Sequence, residues 1–309
     1  MNPAFSVLIF TTLSGAGFGL WIWLGLRIAI GGPPQAFQAL GWSLLLVFAG
    51  IAVALGLLAS FWHLGKPLRA WRAFSQWRTS WLSREGVLAV ASFVPALALL
   101  LLLRAGQFDI ATRIVAATLA LLAIATVICT AMIYASLKPI PAWRHRLVVP
   151  GYLSFALLTG GLPMLLSSWP GAHGIDGAMP HALTAIAIAL LALKLIYWRD
   201  IDRTALPQTR GDAIGLPQRT PSVFERPHTE ANYITREMAF AVARRHARTL
   251  RIAAVLLFAL LPLLCLLLAW PQPGAAGGIV VASTCALAGA FLERWLFFAQ
   301  ARHLVTLYY

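Results

Sequence analysis

Eight apolar runs of about 20 residues each recur along the chain, and each is long enough to cross a hydrocarbon core of roughly 30 Å. Because lipid offers the backbone no hydrogen-bond partners, such runs must be helices. Only 11% of the residues are charged, against roughly 25% in soluble domains. The sequence therefore predicts an all-α, polytopic integral membrane protein that forms one membrane domain over residues 1–309. The predicted spans are about 4–30, 39–62, 85–103, 110–137, 148–169, 178–198, 250–270 and 277–307.

Basic residues are concentrated in three of the segments between the spans, and this asymmetry predicts the orientation. Of the 24 Lys and Arg residues, five lie at 63–84, three at 138–146 and ten at 199–251, whereas three lie on the other side. With eight spans these segments share one side. The positive-inside rule then places that side and both termini in the cytoplasm. The rule also accounts for the net charge of +14 without nucleic acid as a partner.

The long polar segment at 199–249 is predicted to be a cytoplasmic loop. Its first part is rich in Pro, Gly and Arg and is expected to be irregular. From Thr229 onward, Tyr233, Glu237 and Phe240 repeat at the spacing of one helix face. We therefore expect a surface helix here that runs into the seventh span.

The densest polar chemistry in the first half of the chain lies at 62–85, which contains a His, a Glu, five Lys or Arg and four Trp. His63 directly follows the second span and Glu85 opens the third, so both are expected at the membrane interface at similar depth. A histidine titrates near neutral pH, and quinone oxygens gain or lose protons as electrons move. His63 and Glu85 are therefore the candidate catalytic pair for quinone chemistry.

Neighbouring residues can complete a quinone pocket by hydrogen bonding and ring contact, namely Arg69, Trp71 and Arg72. The alternative is an interfacial loop, whose tryptophans form an aromatic belt and whose basic residues fix the topology. That alternative is favoured for Trp77, Arg78 and Trp81.

Glu293 and Arg294 lie inside the eighth predicted span, where charges are costly and often functional. Because adjacent helix positions point in different directions, we expect the two side chains not to pair with each other. One would pair with another helix and the other would reach a water-filled cavity; a structural interhelical ion pair is the alternative. His303 belongs to the same predicted span and is interpreted as an interface histidine.

The cysteines Cys129, Cys265 and Cys285 lie in apolar runs and lack the spacing of a zinc or iron–sulfur motif. We therefore expect no metal site on this chain. A bis-histidine haem is an alternative, because His63 and His303 lie toward the same side of the membrane, but no surrounding pattern supports it.

The run HLGKPLRA at 63–70 resembles the H-L-G-x-P-x-R-A signature of the dimethyl sulfoxide reductase anchor-subunit family (DmsC/NrfD-like). The run LSRE at 82–85 fits the family's L-S-x-E, and eight spans match its architecture. The run PHTEANYITREM at 227–238 looks like the branch found with cytoplasmic sulfite-oxidising molybdoenzymes, called SoeC.

The resemblance implies a membrane anchor that exchanges electrons between a four-cluster iron–sulfur subunit and a quinone pool, ubiquinone or menaquinone. A molybdopterin catalytic subunit would act on the substrate, and both partners would dock on the cytoplasmic face of a bacterial inner membrane. Family members usually carry no haem, and an N-out orientation has been proposed for them, whereas the basic-residue count here predicts N-in. The resemblance associates the positions of His63 and Glu85 with the quinone site, and the full set of predicted quinone-binding residues is His63, Gly65, Lys66, Arg69, Trp71, Arg72 and Glu85.

The favoured function is thus anchor and quinone-reactive subunit of a sulfite:quinone oxidoreductase. The first alternative is the anchor of a dimethyl sulfoxide-type reductase that oxidises menaquinol. A purely structural anchor, with His63 and Glu85 as ordinary interface residues, is the second. A secondary transporter, from a different class, would show broken helices at matching positions in two halves. The predicted kink or break at 160–163 has no such counterpart.

Overall fold

Eight long apolar helices, each able to span a membrane, dominate the fold, which confirms the predicted all-α, eight-span class. The structure is a computed structural model that describes residues 3–63, 66–167, 175–222, 224–225, 246–269 and 275–307. No strand occurs within these residues. The helices are α1 (Phe5–Ile30), α2 (Ala36–Ser60), α3 (Trp81–Arg104), α4 (Ile110–Ala135), α5 (Val148–Met164), α6 (Ile175–Arg203), α7 (Ala247–Leu268) and α8 (Ala275–Ala299).

Helix α8 is shorter than predicted. It ends at Ala299, and a 3-10 turn follows at Leu304–Leu307. The Leu304 N–H donates to the carbonyl of Pro139 at 3.1 Å, so the chain leaves the helix direction and lies against the α4–α5 connection. His303 is therefore outside the eighth span, and its expected place inside that span is wrong.

The hairpin of α3 and α4 shows how local sequence sets helix ends. Gly106 adopts a φ of +68°, a left-handed conformation that glycine reaches without steric cost. This turn lets the Gln107 N–H donate to the Leu102 carbonyl at 3.0 Å and satisfy the end of α3. Asp109 then caps α4, since its Oδ1 accepts from the Thr112 N–H at 2.9 Å. That hydrogen bond holds the pKa of Asp109 below its usual value.

Helix α5 runs without interruption through Gly160, Gly161 and Pro163 and then tightens into a 3-10 turn at Leu165–Ser167. The backbone is therefore not broken at 160–163. The glycines instead serve packing, because a Cβ on Gly160 would fall on the backbone of Gly19 in α1.

Helix α1 lies at the centre of the bundle and packs on α2, α4 and α5. Its contacts are backbone-to-backbone at glycines: a Cβ on Gly19 would overlap the Ala156 carbonyl of α5, and one on Gly25 would meet Ala116 of α4. Lipid tails give no hydrophobic drive for helix association, so membrane helices depend on this close packing.

Replacing Gly19 by alanine should therefore destabilise the protein, because the added methyl group forces α1 and α5 apart. Gly15→Ala is the matched control, since a Cβ at Gly15 has no neighbour within 4 Å. We expect a several-fold loss of folded, monodisperse protein in detergent for Gly19→Ala and wild-type yield for Gly15→Ala. Equal yields for both variants would contradict the close-packing role of Gly19.

The described parts of the basic segments lie together at one end of the bundle, which we call the basic end (66–84, 138–147, 199–222, 246–251 and 300–307). His145 Nε2 lies 3.3 Å from Asp200 Oδ2, and Tyr197 donates to the Ala142 carbonyl at 3.0 Å. The predicted surface helix falls mostly on 226–245, outside the described residues. Which membrane face carries the basic end stays a prediction.

Candidate functional site

A ten-residue 3-10 helix, Pro67–Gln76, lies at the basic end and exposes both aromatic and basic side chains; we call it the aromatic helix. Lys66, Arg69 and Arg72 are exposed, and Trp71 is 65% exposed. The Arg72 guanidinium lies 5.7 Å from the centre of the Trp71 ring. These four predicted quinone-site residues therefore share one short segment at the membrane edge.

Two further members of the predicted set immediately precede this segment. His63 ends a short 3-10 turn, Phe61–His63, directly before the aromatic helix. Gly65 lies outside the described residues. The roles of both residues remain predictions.

The aromatic helix packs against the first turns of α3. Ser83 donates its hydroxyl to the Ala73 carbonyl, and Arg84 Nε donates to the Trp77 carbonyl at 3.0 Å. The ring of Phe74 faces Gly86, where a side chain would meet it at 3.1 Å. The segment at 66–80 is thereby fixed to the helix that carries Glu85.

Glu85 points into the bundle and is 4% exposed. Its Oε1 accepts a hydrogen bond of 2.8 Å from the hydroxyl of Thr130 on α4. No ion pair joins Glu85 to Arg69 or Arg72 among the described residues. The structure thus brings the aromatic helix and Glu85 into one region but turns the carboxylate toward α4.

A second charged site lies in the interior, composed of Lys194 on α6 and Glu293 and Arg294 on α8; we call it the ion cluster. Lys194 donates to Glu293 Oε1, and Arg294 Nη1 lies 3.2 Å from Glu293 Oε2. The prediction that Glu293 and Arg294 do not pair is therefore wrong. The long guanidinium side chain bends back to its neighbour, while the expected interhelical partner exists as Lys194.

Aromatic faces compensate the two buried cations of the ion cluster. The Arg294 guanidinium lies 3.5 Å from the centre of the Tyr152 ring, and the Lys194 ammonium lies 4.1 Å from that of Tyr197. A desolvated cation over an aromatic face gains about 2 kcal/mol. The cluster carries one more positive than negative charge, so these contacts reduce the free-energy cost of burying the excess positive charge.

A narrow cavity of about 20 Å³ lies in the interior between α1, α4, α5 and α8. It is lined by Thr130, which bonds Glu85, and by Arg294, which bonds Glu293. A π-helical turn in α1, Phe10–Ser14, contributes three more hydroxyls to its wall. We call it the hydroxyl cavity; its hydroxyl-bearing residues are Thr11, Thr12, Ser14, Thr130, Tyr152 and Thr159.

His303 lies at the basic end rather than in a span. Its Nδ1 accepts from the Val305 N–H at 3.0 Å, and partial burial lowers the pKa of its imidazole. The haem alternative required His303 on a spanning helix opposite His63, and the position of His303 does not meet that requirement.

A family model described as DMSO reductase anchor subunit (DmsC) matches residues 1–300. The chain belongs to the DMSO reductase anchor subunit family. It is also 34% identical over 336 aligned residues to the C subunit of the sulfite dehydrogenase of Allochromatium vinosum, covering 100% of this chain and 99% of that protein. The resemblance read from the motifs at 63–70 and 82–85 is thereby confirmed.

Sequence reasoning did not identify two residues of this anchor-family chain that the structure brings to its charged sites. Lys194 lies within the sixth predicted span, and a lysine inside an apolar run is itself a signal of a buried partner. Thr130 gave no signal, because a threonine in a membrane helix usually bonds its own backbone, as Thr130 also does to the Thr126 carbonyl at 3.1 Å.

Proposed function

We propose that the chain is the membrane anchor and quinone-reactive subunit of a sulfite-oxidising molybdenum complex. A four-cluster iron–sulfur subunit would pass electrons from a molybdopterin catalytic subunit to quinone bound near Glu85. Membership of the anchor family and the similarity to the C subunit of a sulfite dehydrogenase support this assignment.

One observation carries the quinone role: a carboxylate, Glu85, is 4% exposed at the edge of the membrane-spanning region, directly behind an exposed aromatic and basic helix. A quinone fits the residues of this segment. Trp71 and Phe74 offer ring contacts to an apolar quinone that arrives from lipid, while Arg69 and Arg72 can hydrogen-bond its oxygens. When bound, the quinone supplies two-electron, two-proton redox chemistry. Glu85 would hold and transfer a proton at its carboxylate oxygen, oriented by Thr130.

The basic end would dock the iron–sulfur subunit. Arg203, Arg210 and Arg219 are exposed there, and a pocket of about 240 Å³ lies between the α4–α5 connection, the end of α6 and the start of α7. Docking at this end places the nearest cluster on the same side as Glu85, which shortens the electron path. The predicted orientation would put this docking face in the cytoplasm, and the family resemblance implies a bacterial cytoplasmic membrane.

Glu85→Gln should lower quinone-linked turnover of the purified complex about a hundredfold, the usual scale for loss of a general acid–base group. His63→Ala should have an effect of the same order. Sulfite oxidation with an artificial dye, which takes electrons before the quinone, should stay at the wild-type rate. Glu225→Gln is the matched control, because Glu225 is an exposed carboxylate far along the chain.

Unchanged quinone kinetics in both variants would refute the quinone assignment. Purification of the chain from its native membrane without iron–sulfur and molybdenum subunits would refute the anchor role in such a complex. If the complex turns over only with dimethyl sulfoxide-type substrates, the quinone site would still stand, but electrons would flow from quinol to the molybdenum subunit.

A further inference from the structure

The burial of Glu85 raises the question of how its proton is replaced. Each quinone reduced takes up two electrons and two protons, so a carboxylate that gives a proton must regain one. Glu85 is 4% exposed, and the aromatic helix packs against the same first turns of α3. A supply route must therefore run through the interior.

The hydroxyl cavity is lined both by Thr130, which bonds Glu85, and by Arg294 of the ion cluster. Its volume of about 20 Å³ exceeds the roughly 10–15 Å³ that one water needs. Two residues that line it, Tyr152 and Thr12, carry hydroxyls that have no hydrogen-bond partner among the described residues. Tyr152 is 4% and Thr12 is 6% exposed. Buried hydroxyls are nearly always hydrogen-bonded, to protein or to ordered water.

The backbone of α1 gives independent support. The π-helical turn Phe10–Ser14 inserts an irregularity that brings Thr11, Thr12 and Ser14 to the cavity wall. Such turns are frequent at functional sites. The hydroxyl of Thr11 bonds the Val7 carbonyl and that of Ser14 bonds the Phe10 carbonyl, whereas that of Thr12 is left for another partner.

Beyond the cavity, contacts between polar and aromatic residues continue to the basic end. Arg294 lines the hydroxyl cavity and a second cavity of about 10 Å³ that also touches Lys194 and Tyr197. The Tyr197 ring lies 5.4 Å from that of His145. His145 lines the surface pocket at the basic end. The ion cluster thus lies between the hydroxyl cavity and water.

We propose that the hydroxyl cavity binds water that relays protons between the ion cluster and Glu85, and that Tyr152 and Thr12 are its positioning residues. This inference rests on the proposed function, since it assumes that Glu85 exchanges protons with quinone. Glu85 gives a proton to a quinone oxygen, and the bound water returns one to the carboxylate. The water is reprotonated from the side of the ion cluster, and the electrons come from the iron–sulfur subunit.

Tyr152→Phe and Thr12→Val test the relay, because each removes a hydroxyl that forms no hydrogen bond within the described protein. We expect each to lower quinone-linked turnover about tenfold, less than the hundredfold expected for Glu85→Gln. The ratio of turnover in H₂O to turnover in D₂O should rise, since proton delivery becomes limiting. Dye-linked sulfite oxidation and thermal stability should stay unchanged. Thr126→Val is the control, since Thr126 is buried on α4 but does not line the cavity, and its hydroxyl already bonds the Leu122 carbonyl.

If the cavity holds no water, the opposite result is expected. Both variants would then keep wild-type turnover and the wild-type isotope ratio, and this outcome would overturn the relay. Radiolytic footprinting of the intact wild-type complex adds a readout independent of turnover. Bound water should give oxidation of Tyr152 despite its burial, whereas an unmodified Tyr152 would contradict bound water.

The two proposals fail in different ways. If Glu85→Gln and His63→Ala both leave quinone turnover intact, the proposed function fails and the relay to Glu85 fails with it. If Glu85→Gln abolishes turnover while Tyr152→Phe and Thr12→Val do not alter it, the quinone role stands and only the relay is refuted.

Discussion

Lys194→Met should destabilise the protein by about 3 kcal/mol, the lower end of the usual cost of removing one member of a buried ion pair, because Glu293 still pairs with Arg294. Lys194 is 4% and Glu293 is 0% exposed, so Glu293 cannot turn to water when Lys194 is lost and keeps only its 3.2 Å contact with Arg294. Methionine nearly preserves the side-chain volume, and the loss therefore reports on charge rather than on a cavity. The measurement is thermal unfolding of the purified chain in detergent.

Two further variants serve as controls for this prediction. Lys138→Met removes an exposed lysine at the basic end and should change stability by less than about 0.5 kcal/mol. A charge-free variant, Lys194→Met with Glu293→Leu and Arg294→Met, should recover stability relative to Lys194→Met alone, because buried charges are costly even when paired. If Lys194→Met is as stable as wild type, the ion pair with Glu293 is not formed in the protein.

Reporter fusions should place the basic end in the cytoplasm as an all-or-none result. We expect green fluorescent protein fused after Glu225 to fluoresce in a bacterial host and alkaline phosphatase at the same site to be inactive. A fusion at Gly106, in the α3–α4 connection at the opposite end, should give the reverse pattern. The reason is the count of basic residues, 18 on one side against three on the other.

The opposite pattern at both sites would establish an N-out orientation, as proposed for members of the family. It would also place the aromatic helix and Glu85 on the other membrane face, and the iron–sulfur subunit would then dock there. The Gly106 fusion is the internal control, since a correctly inserted bundle must give opposite signals at the two ends.

Much of the fold follows from the sequence because apolar run length and backbone hydrogen bonding leave few choices in lipid. The charges at Glu293 and Arg294 could be recognised as buried for the same reason. Their geometry could not be predicted: Lys194 precedes Glu293 by 99 positions, and helix neighbours are not readable from one sequence. The end of α8 was misplaced because an apolar run continues past the point where tertiary contacts turn the chain at Leu304.

The candidate site was predictable in its location but not in its orientation. The motif residues predicted that His63 and Glu85 lie near the membrane edge, and the structure places Glu85 at the basic end. That its carboxylate turns toward Thr130 depends on the packing of α3 against α4. The hydroxyl cavity was not predictable, since the π-helical turn of α1 has no proline or other signal in the run FTTLS.

The central place of α1 has a consequence for biogenesis. Helix α1 leaves the ribosome well before α5, the partner that its glycine face needs, because Val148 follows Ile30 by 118 residues. At roughly 5–20 residues per second, translation leaves that face without its partner for about 6–24 s. During this interval the hydroxyls of Thr11, Thr12 and Ser14 also lack their final surroundings. Insertion machinery that retains α1 beside the translocation channel would protect it until α5 emerges.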